Sequence, residues 1–255
     1  MKNELKNLVP NEITRKIETA LSATLKRNLF SVVFGETGRG KTLTCEHFAA
    51  AHPEAALIAL PGAVNHAEFV QEVAFGLLGR DFGGTRRNKA EIRSYLLKNR
   101  RMIIIDEFNQ VLLSQTKSAI VKSFEFVRRN IFDLTDTPVM LVFTRYSLQD
   151  MRHGALHEFL EQFRGRLGIT LQIPARMLKV SEVTPIVRDY VPDADNALID
   201  AAYAIAAAGD GRIRTLVKYL ELAGEYTAEH GGKISSKLLI HLSTRYEDGG
   251  SWPED

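Results

Sequence analysis

Short apolar runs alternating with amphipathic stretches predict an α/β fold: a parallel five-stranded sheet with helices on both faces, then a small helical domain. The first observation is the set of runs Phe30–Phe34, Ala56–Leu60, Met102–Asp106, Val139–Thr144 and Ile169–Ile173, most of them bounded by Gly or Pro, as buried strands are. The second is the helical periodicity that fills the gaps between them. The third is a change after Pro174, where no further strand is clear and helical segments follow at 180–190, 195–208, 212–229 and 235–244.

In order along the chain, Ile13, Ile17, Leu21 and Leu25 recur at near-helical spacing and predict an amphipathic helix over 11–27. Phe30–Phe34 is a strand closed by Gly35, and 41–51 reads as a helix. The second strand is closed by Pro61-Gly62, and a helix over 65–79 follows. Arg80–Asn88 reads as a Gly- and Arg-containing loop, Lys89–Lys98 as a helix, and 116–131 as another. Pro138 opens the fourth strand, 155–164 suits a helix, and Gly168 leads into the fifth strand.

Composition narrows the function classes. Of 255 residues, 45% are hydrophobic and 25% charged, which suits a folded globular chain rather than a disordered one. The net charge of +2 permits a nucleic-acid partner but does not demand one. A single cysteine, Cys45, rules out an intrachain disulfide framework or a cysteine-rich zinc site, and a reduced cytoplasmic setting is expected. The opening MKNELKNLVPNEI is charged and lacks the apolar core of a secretory leader. The longest apolar stretch, near Ala197–Ala208, is interrupted by Asp200 and is too short to cross a membrane, so no membrane partner is expected.

Residues 35–42, GETGRGKT, match G-x-x-x-x-G-K-[ST] between an expected strand and an expected helix. Gly35, Gly38 and Gly40 let the backbone curl so that the N–H groups of Glu36, Thr37, Gly38, Arg39, Gly40, Lys41, Thr42 and Leu43 point inward at phosphate. The helix that follows presents its N-terminus to the same anion. Lys41 neutralises the β- and γ-phosphate oxygens, and the Thr42 hydroxyl serves Mg²⁺. At average composition such a match arises by chance with a probability of roughly 0.01. ATP or a close relative, with Mg²⁺, is therefore the expected ligand.

About 65 residues downstream, the apolar strand Met102-Ile-Ile-Ile ends in Asp106-Glu107. Ligands bind at the carboxyl edge of such sheets. Asp106 is placed to hold Mg²⁺ through water, and Glu107 to polarise the attacking water as general base. Away from the loop at 35–42, the same pair is often just a strand end capped at the surface.

The phosphate loop, the strand ending in Asp-Glu and the helical C-terminal part together resemble the AAA+ ATPase superfamily. That resemblance implies further site residues. Thr144, at the end of the fourth strand in VMLVFTRY, matches the sensor 1 position that orients water and γ-phosphate; Arg145 is a weaker candidate. In FLEQFRGRLG, Arg166, with Arg164 second, matches the arginine finger that completes a neighbouring subunit's site; helix C-terminal arginines also occur simply to complement the dipole. In GDGRIRTL, Arg212, with Arg214 as alternative, matches sensor 2 at the start of a lid helix. The implied division is 1–28 N-terminal helical extension, 29–175 nucleotide-binding domain, 176–246 helical lid and 247–255 flexible tail.

Within that superfamily the chain is most similar to the transposition ATPases, the Mu B protein and the transposon target-selection regulators related to it. The similarity lies in CEHFAAAHPEAALIAL, in TRRNKAEIRSYLLKNRR before IIIDE, in FRGRLGITLQIP, and in GDGRIRTLVKYLELA. It implies ATP rather than GTP, self-association into a ring or helical filament, and a transposase as partner. It also implies sequence-nonspecific binding to duplex DNA. The Mu B protein has an N-terminal DNA-binding domain, whereas about 28 residues precede the first strand here, so the core is expected to make the DNA contacts.

Arg80, Arg86, Arg87, Lys89, Arg93, Lys98, Arg100 and Arg101 concentrate positive charge against only Asp81 and Glu91. Arg86, Arg87, Lys89 and Arg93 are the expected phosphate contacts, projected by the Gly83-Gly84 loop. Charge runs are more often solvated helix faces. Two other functions remain open. One is a helicase-loader or replication-initiator-like ATPase acting mainly on a protein partner, to which GDGR also points. The other is a signalling or secretion ATPase that binds no nucleic acid.

Overall fold

The computed structural model describes residues 8–113, 116–144, 161, 163–173, 178–208 and 213–247. Five strands, β1 (Phe30–Gly35), β2 (Ala55–Ala59), β3 (Met102–Asp106), β4 (Val139–Thr144) and β5 (Leu167–Gln172), form one sheet in the order β2-β3-β4-β1-β5. Every pairing is parallel. Parallel neighbours need crossovers, and the helices supply them.

The helices of this part are α1 (Glu12–Arg27), α2 (Lys41–Ala51), α3 (His66–Leu78), α4 (Thr85–Lys98) and α5 (Lys117–Glu125), with a 3₁₀ turn at Phe108–Leu113. Alternation along each strand sends Phe30, Val32, Phe34, Ile103, Ile105, Val139, Leu141 and Phe143 into one core with the apolar faces of α3, α4 and α5. On the opposite face, the Thr24 hydroxyl of α1 donates to Ser31 Oγ of β1 at 2.7 Å, so a polar pair inside the layer is satisfied.

Two expected boundaries shift. The helix expected from Lys89 begins at Thr85, because Gly83 and Gly84, at φ +76° and +95°, complete the turn and free the chain to coil. Arg86 and Arg87 therefore stand in the first helical turns and not in a loop. The helix expected over 116–131 is α-helical only to Glu125 and continues as a π-helix over Phe126–Asp133. Phe126 and Ile131 are both buried; their spacing of five suits a π turn, whereas an α-helix would point them apart. The helix expected over 155–164 falls largely outside the described residues.

The chain divides into two compact units. One holds the described residues of Arg15–Glu36 and Lys41–Pro174, and the other those of Asn7–Thr14, Thr37–Gly40 and Ala175–Asp255. In the second, α6 (Val180–Tyr190), α7 (Asn196–Ala208), α8 (Ile213–His230) and α9 (Ser236–Glu247) surround Val183, Val187, Ala202, Leu216, Leu220 and Leu239. Small residues on α7, Ala202 and Ala206, let its neighbours approach closely. Among the described residues no helix is long and apolar enough to cross a membrane.

Candidate nucleotide site

The sheet register brings the separate motifs to one edge. Gly35, first residue of the phosphate loop, pairs with Thr144 at the end of β4, and Asp106 at the end of β3 pairs with Ala59. A side chain at Gly35 would place its Cβ 2.9 Å from Ile173 Cβ, so only glycine fits. Gly38 and Gly40 turn the loop at φ +74° and +77° before α2 begins at Lys41. Arg39 is buried, at 1% exposure. Lys41 is also buried, and its ammonium donates to the carbonyls of Gly35 and Glu36 at 2.9 and 2.8 Å. The Lys41 charge is thus held inside its own loop.

Asp106 is 1% exposed. Its Oδ1 accepts the Glu107 N–H at 2.9 Å, while Oδ2 is buried with no hydrogen-bond partner among the described residues. Burial pushes its pKa up, against the opposing pull of the neighbouring Thr42 hydroxyl, the Glu107 N–H and Lys41. An orphaned carboxylate oxygen beside a threonine hydroxyl fits a hard divalent cation such as Mg²⁺. Burial likewise raises the Cys45 thiol well above its ordinary value, with the Asp106 charge adding to the effect, so the thiol stays protonated and inert.

Glu107 has φ +53°, a left-handed conformation unusual for a side chain of this size. It turns the chain off β3 into the 3₁₀ turn, whose Gln110 N–H donates to the Glu107 carbonyl at 2.9 Å. One residue of that turn, Asn109, accepts the Thr144 N–H on Oδ1 at 3.2 Å and ties the end of β3 to the end of β4. The sequence reading missed Asn109; its position three residues after Asp106 was the available signal.

It also missed an aromatic support. Phe34, Phe108 and Phe143 immediately adjoin Gly35, Glu107 and Thr144. Phe34 stacks on Phe143 at 4.8 Å between centroids, and Phe108 meets Phe143 edge-on at 5.3 Å. Such pairs contribute about 0.5–1.5 kcal/mol beyond burial, and they fix the three loop exits relative to one another.

Of the remaining expected site residues, Arg166 lies in the turn before β5. Its side chain is 56% exposed, and Nε stands 3.7 Å from Asp133 Oδ1, a loose pair. Arg164 is exposed too. Arg145 and Arg212 lie outside the described residues; Arg214, in the first turn of α8, is exposed. Arg86, Arg87 and Arg93 are exposed on α4, whereas Lys89 is half-buried, with Nζ 2.8 Å from His66 Nε2.

Residues 24–151, half of the chain, match the family profile of the AAA domain. The chain belongs to the AAA domain family. This AAA domain protein is accordingly a P-loop ATPase, and ATP is its nucleotide. Its fold is similar to that of the ORC2 protein of Aeropyrum pernix, solved as ADPNP–ADP complexes. There the TM-score is 0.70 at 17% identity, over 94% of this chain and 70% of that one. The ORC1 protein of the same organism, in complex with DNA, aligns with a TM-score of 0.64 at 16% identity, over 97% and 68% of the two chains. Domain III of the replication initiation protein DnaA from Thermotoga maritima gives 0.61 at 13% identity, over 93% and 94%. At these identities the likeness of the AAA domain protein to each is one of fold. No curated protein matches its sequence.

Proposed function

We propose that this ATPase is a replication-initiator-like or loader-like switch that uses ATP to assemble with further copies of itself on duplex DNA. The observation that carries the ATP half is the sheet register, which sets Gly35 beside Thr144 on the edge that also holds Asp106. The initiator half draws support from the fold likeness to the ORC proteins and DnaA domain III, one of those structures being a DNA complex. The exposed Arg86, Arg87 and Arg93 on α4 add a surface suited to backbone phosphate without base readout.

In this reading the loop residues Gly35–Leu43 wrap the phosphates, and Lys41 leaves the Gly35 and Glu36 carbonyls to meet them. Thr42 and Asp106 would hold Mg²⁺, which would supply charge neutralisation on the phosphates. Glu107 takes a proton from the attacking water, and Thr144, held through Asn109, orients that water. Exposed Arg166, or Arg164, reaches a neighbouring copy's nucleotide, and Arg212, or Arg214, reports the nucleotide state through the helical lid. Hydrolysis then resets the assembly.

Regulation of transposition with a transposase partner is the second reading. Its specific support is the similarity of FRGRLGITLQIP and GDGRIRTLVKYLELA to the target-selection ATPases.

Negative-stain microscopy and duplex gel shift, each with ATP, ADP and no nucleotide, test the proposal. Rings or filaments on random-sequence duplex in ATP alone are expected. Monomers that ignore duplex DNA in ATP would overturn it.

A further inference from the structure

A cleft of about 670 Å³ opens among α3, α4, α5 and the π-helix, lined by His66, Thr85, Lys89, Lys122, Arg129 and Asn130. One carboxylate, Glu125, also lines it, but Arg128 already binds that group through two bonds of 2.6 and 2.9 Å. Among the described residues, no carboxylate pairs with Lys89, Lys122 or Arg129.

Lys89 is fixed in place. The Asn88 side chain, 1% exposed, knots the turn before it by donating to Asp81 Oδ1 at 2.6 Å and accepting the Phe82 N–H at 2.8 Å. The Lys89 ammonium stands 5.3 Å from the Phe126 ring centroid and 2.8 Å from His66 Nε2. An ammonium only donates, so Nε2 accepts and the ring is the neutral Nδ1–H tautomer. Nδ1–H then donates to Ser123 Oγ at 3.1 Å, and the Ser123 hydroxyl donates to the Ala119 carbonyl at 2.9 Å. The capping box of Asn65 and Glu68 at the head of α3 holds His66 in register.

This arrangement stores uncompensated positive charge. Burial, and then Lys122, lower the Lys89 pKa. Burial first, with Lys89 and Lys122 behind it, lowers His66 to about 4. The charged groups facing the imidazole are Lys89 from α4 and Lys122 from α5. Arg86, Lys89 and Arg93 fall on one stripe of α4 about 10 Å long, longer than one phosphate group. A polyanion matches that extent better than a single ion does.

We propose that the cleft binds a backbone phosphate of nucleic acid through Lys89, Lys122 and Arg129, and that His66 takes up a proton when the phosphate arrives. The proposal rests on the DNA reading above and gives it a place and a coupled proton. The phosphate draws the Lys89 ammonium from Nε2 and cancels the field of Lys122. Nε2 then takes a proton from hydronium, an N–H bond forming as one O–H bond of the hydronium breaks to leave water, and the new N–H donates a hydrogen bond to a phosphate oxygen.

The test follows the His66 imidazole by NMR across pH in the full chain, its signal assigned with His66→Gln. The probes are a short random-sequence duplex, tripolyphosphate and polyglutamate. The midpoint, about 4 without a probe, is expected to rise by at least about one pH unit with duplex and with tripolyphosphate. The double variant Lys122→Gln/Arg129→Gln is expected to weaken duplex binding at least about tenfold, flatten its salt dependence and leave DNA-free ATP hydrolysis unchanged. Both side chains are exposed, so the variant keeps its core. Duplex binding as tight as wild type in that variant overturns the cleft while leaving the DNA reading intact. A midpoint moved only by polyglutamate assigns the cleft to an acidic peptide and overturns the proposal. Wild-type protein that ignores duplex overturns the cleft's ligand and the DNA reading together.

Discussion

The nucleotide edge and the basic cleft belong to the same α/β unit yet balance charge in opposite ways. At the edge, Lys41 is met by two carbonyls of its own loop, and Asp106 by the Glu107 N–H. Gly35, Glu107 and Thr144 lie at the ends of β1, β3 and β4, each beside a buried phenylalanine. In the cleft, Lys89 faces an imidazole and a second lysine, and the carboxylate in the lining, Glu125, is bound by Arg128. Thus Lys41 is compensated before a ligand enters and the unmet charge at the edge is a single carboxylate oxygen, Asp106 Oδ2, whereas the unmet charge in the cleft is positive and waits for an anion. Strand ends give precision, and helix faces give a surface whose charge can be left unsatisfied.

Three experiments sharpen this contrast. The largest effect belongs to the edge: Glu107→Gln is expected to lower kcat by about 10²–10⁴-fold while nucleotide binding persists, read by phosphate release and by fluorescent-ATP titration. Hydrolysis at the wild-type rate would remove Glu107 as the base. Next, Phe143→Ala removes the centre of the aromatic support and should cost about 3–5 kcal/mol in urea unfolding, with Phe143→Leu costing far less. A loss under about 1 kcal/mol would mean that the loop exits are not braced by these rings.

The smallest effect belongs to the cleft and concerns pH. The folded midpoint of His66, about 4, lies below its ordinary value of about 6.5. Between these values the unfolded chain binds more protons, so stability rises with pH through that window and is lost as pH falls from about 6.5 towards 4. Thermal unfolding of wild type should therefore slope more steeply over that range than His66→Gln, and saturating phosphate should flatten the wild-type slope. Equal slopes would show that the cleft does not hold His66 neutral.

The two regions were also unequally legible in the sequence. Gly35 to Thr42, Asp106 and Glu107 carry local patterns, because a strand must end where its apolar run ends and the chemistry sits on the next residue. The sheet's five strands were legible for the same reason. The cleft was not. His66, Lys89, Lys122 and Arg129 are spread over more than sixty residues, and nothing in the spacing of His66 or Ser123 marks them as partners. Lys89 was singled out as a projecting phosphate contact, and its inward turn depends on Asn88, whose buried knot has no sequence pattern. The π-helix hid inside an ordinary amphipathic pattern, since burial of Phe126 and Ile131 becomes informative only once the backbone is known.

That π-helix makes the cleft's history separable from that of the sheet edge. A π turn encloses one residue more than an α turn, so deleting a single residue within Phe126–Asp133 would let the segment close as an α-helix. The helix on either side would keep its orientation, because the residue removed is the one the wider turn had absorbed, but the residues inside the segment would turn about the axis, and Arg129 would leave the wall it shares with Lys122. One codon gained or lost could therefore switch a charged groove on or off in a lineage while every strand end, and the hydrolysis built on it, passed unchanged to the descendants.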